Sequence, residues 1–287
     1  MKSISSYRTG VLMVTLSAIA WSTAGLYTRL VTVDTPTMLL WRGLFGTVGL
    51  FIYIWVQKRG TTIQGFIRMG RNSWLYIVAG TVAMQLFVTS LRYTSVAHAS
   101  IIYAAIPFVA GGLGWLILHE KPSRTAITAS FFALIGVGIM MMFGHGEGHI
   151  SGDLMALGMT IGMALLMVLA RRFDDIDLLS AACTSTLISA LISLPFASHT
   201  LPDAYNLFIL ACFGLINSGL GFALFAYGSK LIPATETALI GALDAPLAPV
   251  WVWLFLSETP QTATLIGGAV VFTAVMANIG LSGRNST

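Results

Sequence analysis

Ten stretches of this chain are apolar for about twenty residues each, and that pattern limits its fold more than any other feature. They run roughly over 9–30, 36–57, 73–92, 97–118, 124–143, 152–171, 178–196, 204–229, 235–256 and 262–282. A helix that crosses a bilayer needs about 20 mainly apolar residues. Polar and proline-led punctuation separates the stretches, as at Asp34-Thr35-Pro36, Glu120-Lys121-Pro122 and Glu258-Thr259-Pro260. Proline just inside a helix start is tolerated because its missing N–H had no partner there. Only 9% of the residues are charged and 56% are hydrophobic, against about a quarter charged in a soluble domain. A soluble core has no room for that much apolar surface. The sequence therefore predicts an all-α integral membrane protein. Its longest connection, 58–72, carries Lys58, Arg59, Arg68 and Arg71 and reads as a surface amphipathic segment.

Lysine and arginine set the orientation of such a chain. With a cytoplasmic N-terminus, the inside set is Lys2, Arg8, Lys58, Arg59, Arg68, Arg71, Lys121, Arg124, Arg171, Arg172, Lys230 and Arg284, and the outside set is Arg29 and Arg92. Arg42 lies within span 2, near its outer end. A missed or invented helix would scramble this alternation, so both termini are expected in the cytoplasm. Lys2 and Arg8 followed by Ala18-Ile19-Ala20 look like a signal peptide. The apolar run continues to Leu30, however, and no cleavage is expected. Cys183 and Cys212 both lie in apolar runs, as inert thiols rather than a disulfide or metal site do. The chain has no basic stripe with interleaved aromatics, so nucleic acid is not an expected partner.

The two halves repeat one another. Span 4 carries Pro107 and ends at Glu120-Lys121-Pro122, while span 9 carries Pro246 and Pro249 and ends at Glu258-Thr259-Pro260. The two Glu-x-Pro signatures stand 138 residues apart, and Tyr93-Thr94-Ser95 and Tyr227-Gly228-Ser229 stand 134 apart. This divides the chain into residues 1–146 and 147–287. Five spans per unit is an odd number, so the second unit lies upside down relative to the first. Inverted repeats commonly underlie alternating access, with substrate held near the midplane between them.

With these features the chain resembles the EamA-type transporters of the drug/metabolite transporter superfamily. The resemblance rests on the ten spans in two fives, the Pro-to-Glu span endings, Gly152-Asp153-Leu154 at the start of span 6, and Ala18–Thr23. That last stretch, Ala-x-x-Trp-Ser-Thr, is similar to the start of the aromatic amino-acid exporters (the YddG branch). The resemblance implies a bacterial inner-membrane exporter of amino acids or similar metabolites, a monomer or weak homodimer needing no cofactor. It further implies a central cavity lined by spans 1, 3, 4, 6, 8 and 9, with spans 5 and 10 at the periphery. Asp244-Ala245-Pro246 has no acidic counterpart beside Pro107, so the halves do not share one substrate geometry.

Polar residues inside a bilayer are costly and normally face a cavity or another helix. Thr81, Gln85, Thr89 and Arg92 recur at helical spacing in span 3, either as a helix–helix seam or, for Gln85, as cavity lining, which is the favoured reading. In span 8 packing explains the glycines but not Asn217, whose amide needs partners that a substrate can supply. Asp244 lies about nine residues into span 9, or ~13 Å deep by helical rise. Because Pro246 has no N–H, the carbonyl near Ala242 is expected to be free. Asp244 is then a holder of a substrate ammonium or a proton, or else a buried partner of Arg42 or a hydrogen-bonded neutral acid. Arg42 alternatively reaches the headgroups. Trp21, Tyr103 and Phe225 offer aromatic walls for stacking and cation–π contact. With Ser22 they complete the expected cavity set. Tyr93 and Tyr227 read as interfacial anchors.

Glu120 and Glu258 read as structural, since a carboxylate is favoured before a helix start. His145-Gly146-Glu147-Gly148-His149 has metal-ligand residue types but lacks a third imidazole, and no metal is expected. An intramembrane enzyme is disfavoured because the rhomboid-like Gly-x-Ser-Gly pattern would need glycine at Ile216 and no His-Glu-x-x-His occurs. A passive channel would need a carbonyl filter or charged ring. The remaining alternatives are a nucleotide-sugar or drug-type carrier of the same superfamily.

Overall fold

The computed structural model describes residues 4–58, 62–93, 102–141, 150–257 and 262–285. Among these, every regular element is a helix: α1 (Ile4–Ser22), α2 (Ala24–Leu30), α3 (Thr35–Lys58), α4 (Thr62–Ile67), α5 (Arg71–Tyr93), α6 (Ile106–Leu113), α7 (Arg124–Met141), α8 (Ile150–Arg172), α9 (Leu178–Ser193), α10 (Ala204–Phe213), α11 (Gly221–Leu231), α12 (Ala234–Gly241), α13 (Asp244–Leu256) and α14 (Thr262–Asn285). A π-helical stretch, Gly114–Leu118, continues α6, and another, Gly214–Leu220, joins α10 to α11. Among the described residues, six helical runs are long and apolar enough to cross a membrane: Ser6–Leu30, Thr35–Gln57, Ile150–Arg172, Leu178–Phe196, Ala204–Leu231 and Ala234–Leu256. Ile106–Leu118, Arg124–Ile139 and Leu265–Leu281 are shorter apolar helices, and α5 has 23 residues.

Large apolar side chains face outward around the bundle, among them Phe51, Trp55, Phe131, Phe132 and Phe272. In water this would be a liability, but lipid tails are as apolar as the side chains they meet. Association of helices there depends on close packing instead. A Cβ on Gly228 of α11 would stand 2.7 Å from Val14 Cγ2 and 3.0 Å from the Gly10 carbonyl oxygen of α1. A Cβ on Gly136 of α7 would stand 2.7 Å from the Gly267 carbonyl of α14. Only glycine allows either pair of backbones to approach so closely.

The pairing of helices is symmetric between the halves. α5 packs on α8 as α1 packs on α11, and α6 packs on α8 as α12 and α13 pack on α1. α9 lies against α5 as α3 lies against the π stretch at Gly214–Leu220. α3 with α9, α6 with α12 and α7 with α14 pair corresponding helices of the two halves. One buried cluster gathers around Tyr76, Leu166 and Ile176 and another around Val14, Leu239 and Val271. Ile106, Ala164, Met167, Phe225 and Ala238 form a third, drawn from both halves, with Trp21 and Tyr103 packed against it.

Candidate transport site

Three helices are interrupted where the third cluster lies. α1 stops at Ser22 and α2 starts at Ala24, with Thr23 between them. The last carbonyls of a helix lose their intrahelical donors, and in lipid an unsatisfied one costs several kcal/mol. Here side chains replace the missing donors. Ser22 Oγ donates to the Ile19 carbonyl at 2.7 Å, and Thr23 Oγ1 to the Ala20 carbonyl at 2.5 Å. Asn217 Nδ2 donates to the Ala20 and Trp21 carbonyls at 3.3 and 3.1 Å. Trp21 Nε1 returns a hydrogen bond to the Asn217 carbonyl at 3.1 Å. The Trp-Ser-Thr stretch thus caps a helix break, and Asn217 reaches it from a π-helical stretch, a distortion frequent at functional sites.

The other two breaks precede prolines. Leu243 N–H bonds to the Ile240 carbonyl at 3.1 Å, and Ala245 N–H to the Ala242 carbonyl at 3.3 Å. The expected free carbonyl at Ala242 is therefore not found, because the chain tightens by one residue and Ala245 fills the place Pro246 leaves. In the first half, Ala105 N–H bonds to the Ile102 carbonyl at 3.2 Å and Phe108 N–H to the Ala105 carbonyl at 3.0 Å, around Pro107. The same two spans also end alike, with His119 at φ 58° and Ser257 at φ 55°, each in the left-handed region just before its glutamate.

Asp244 occupies the first turn of α13, where the helix dipole favours a carboxylate. It is half-buried although it lies deep in the protein. Among the described residues no side chain hydrogen-bonds or ion-pairs with it. Tyr103 is close enough to interact with it electrostatically. Gly241, three residues earlier, is buried, yet a Cβ there would meet nothing within 4 Å; the half-buried Gly25 near the first break is likewise open. The backbone at these two breaks is thus left uncovered by neighbouring side chains.

The structure divides the expected cavity residues. Trp21 and Tyr103 both pack against the third cluster, and Tyr103 lies close enough to Asp244 to interact with it electrostatically. Phe225 is 1% exposed and backs Trp21 at a ring distance of 5.0 Å; it supports the wall without forming it. Ser22, also buried, accepts a hydrogen bond from Trp251 Nε1 at 2.7 Å and joins the first break to α13. Gln85 lies in the α5–α9 seam. Its Nε2 donates to the Ser189 carbonyl at 2.8 Å, to Ser189 Oγ at 3.1 Å and to Ser193 Oγ at 3.3 Å. Thr81 meets Ser185 one turn earlier.

Arg42 is placed differently from either expectation. It is 4% exposed, so it does not reach headgroups, and it does not pair with Asp244. Its guanidinium lies 4.9 Å from the centre of the Phe213 ring and donates to the Met84 sulfur. It lines a narrow cleft of about 10 Å³ with Ser185, Thr186, Ser189, Ser218 and Phe222. Glu120 is structural in a way its position did not reveal. It pairs with Arg171 at 2.5 Å, and Arg171 also donates to the Ile232 carbonyl at 2.5 Å. Glu258 and His145–His149 lie outside the described residues. The sequence reading passed over Glu236, which is buried and accepts from the Tyr7 hydroxyl at 2.9 Å. An acid near the start of an apolar span was the available signal.

The sequence model of the EamA-like transporter family matches the chain twice, over residues 8–142 and again over 150–280. The chain belongs to the EamA-like transporter family. It is a multi-pass membrane transporter and not an enzyme. Among EamA-family relatives, the uncharacterized transporter YyaM of Bacillus subtilis (strain 168) is 26% identical over 259 residues, covering 84% of this chain and 83% of YyaM. The S-adenosylmethionine uptake transporter of Rickettsia felis is 22% identical over 240 residues, covering 82% of this chain and 79% of that one. A solved crystal structure shares the fold with a TM-score of 0.83 at 18% identity, over 96% of this transporter and 98% of that chain.

Proposed function

We propose that this transporter exports small metabolites, foremost amino acids with bulky apolar or aromatic side chains, across a bacterial inner membrane by alternating access. The observation that carries this reading is the half-buried Asp244, beside Tyr103 at a helix break and, among the described residues, without a side-chain partner. Trp21 packs against the same buried cluster as Tyr103. Rings pack an apolar side chain, and the acid attracts the ammonium. Broken helices near the midplane are a common form of substrate site in secondary transporters.

The topology we infer is ten spans in two inverted units, 1–146 and 147–287, with both termini cytoplasmic. It is supported by the two family matches, by the exchange-symmetric pairing of helices and by the matched left-handed ends at His119 and Ser257. A periplasm-active reporter fused after Thr287 should be silent, and strong activity there overturns the span count.

A second reading is favoured by the relative named for S-adenosylmethionine uptake. That solute also carries an ammonium and an aromatic ring, and would use the same acid and rings in the opposite direction. Proteoliposomes of the full chain, given labelled phenylalanine or S-adenosylmethionine with and without a pH gradient, separate the two. Phenylalanine flux that Asp244→Asn lowers supports the first reading. Flux of S-adenosylmethionine alone replaces it with the second.

A further inference from the structure

Arg42 has no role in the aromatic–acid site, and its surroundings call for an anion. A buried charge without a counter-charge is strongly unfavourable, yet among the described residues Arg42 makes no ion pair. Its neighbours are the Phe213 ring face and the Met84 sulfur. Neither carries a negative charge. Four hydroxyl residues, Ser185, Thr186, Ser189 and Ser218, line the same cleft. Ser218 Oγ is buried and has no hydrogen-bond partner. A guanidinium presents a planar fork of donors that fits a carboxylate in two parallel hydrogen bonds, and a hydroxyl adds one more.

We propose that the Arg42–Ser218 cleft binds the carboxylate of the transported solute. The cleft has room for roughly one water-sized group, which suits the tip of a carboxylate and not a whole solute. Phe222 lines it and packs edge-on against Trp21 at 5.5 Å, so it adjoins the aromatic cluster. The solute's carboxylate then lies toward Arg42 and its side chain toward the rings of Phe222 and Trp21. The identity of the anion as part of the cargo rests on the proposed function; the unmet positive charge does not.

Four probes test this on the purified full chain in nanodiscs: 3-phenylpropanoate (carboxylate only), phenylalaninamide (ammonium only), phenylalanine and chloride. Wild type should bind 3-phenylpropanoate and phenylalanine. Arg42→Gln should weaken both by about tenfold or more, the usual range for a lost charged hydrogen bond, and leave phenylalaninamide unchanged. Ser218→Ala should fold as well as wild type, because it removes an unpartnered hydroxyl, and should weaken 3-phenylpropanoate several-fold. It therefore decides the matter if Arg42→Gln does not fold. Equal 3-phenylpropanoate affinity in wild type and in the folded variants overturns the proposal, as does its failure to bind wild type. Chloride competing as well as the carboxylates overturns the assignment to a carboxylate. Arg42-dependent binding of 3-phenylpropanoate without binding of phenylalaninamide upholds the anion site while the amino-acid reading fails.

Discussion

The α5–α9 seam and the broken-helix cluster are both polar interiors of a membrane bundle, and they use their polar groups in opposite ways. In the seam, Thr81 and Gln85 on one helix meet Ser185, Ser189 and Ser193 on the other at matching four-residue intervals. Thr81 and Gln85 direct their donors at the facing helix, and Ser193 donates to the Ser189 carbonyl of its own helix. In the broken-helix cluster Ser22, Thr23 and Asn217 cap the carbonyls that the break exposes, while Asp244 and Tyr103 have no side-chain hydrogen-bond partner among the described residues. A polar residue in a membrane helix is thus not in itself a sign of a binding site. Spare hydrogen-bonding capacity beside an interrupted backbone ladder is the better sign.

Asp244→Asn should produce the largest effect, weakening a zwitterionic substrate by about tenfold to a hundredfold, as expected for loss of a charged contact worth ~1.5–3 kcal/mol. An uncharged analogue should change little, so competition assays with the two solutes sharpen the contrast. Equal losses make Asp244 a structural acid and break it. Next in size, Asn217→Ala uncovers two carbonyls within the bilayer and should lower unfolding stability by ~1–2 kcal/mol in addition to lowering transport. Gln85→Ala should cost about 0.6 kcal/mol, near the mean for hydrogen bonds between membrane helices, with no change in substrate preference. Thermal unfolding beside transport selectivity measures both, and a shift in selectivity with Gln85→Ala would move the seam into the site. The smallest effect belongs to Glu120→Gln, because Glu120 is 43% exposed and its pair with Arg171 is screened by water. A loss below ~1 kcal/mol is expected in the same unfolding assay.

The helical class was legible because span length and apolarity answer to the bilayer alone. Pro107 and Pro246 marked two of the breaks for the same reason, since a missing N–H is a property of one residue. The break at Thr23 has no proline, and the π stretch at Gly214–Leu220 has no compositional mark that distinguishes it from ordinary small-residue packing. Arg42 could not be placed from sequence. Its burial depends on Phe213 and Met84, which lie on other helices. The Gln85 seam had an available signal in Ser185, Ser189 and Ser193, which share a helix face at spacing four, but pairing them with span 3 required knowing that α5 and α9 touch.

Water access distinguishes the two interiors most directly. In a chain carrying Cys183→Ala and Cys212→Ala, single substitutions Gly241→Cys and Ser193→Cys are each exposed to a small, charged methanethiosulfonate reagent in native membranes. Gly241→Cys, beside Asp244, should be modified rapidly and be protected by a transported solute. Ser193→Cys, inside the seam and outside the lining of the Arg42 cleft, should react far more slowly and without protection. Comparable rates at the two positions, or protection at Ser193→Cys alone, would contradict the placement of the substrate space at the broken helices.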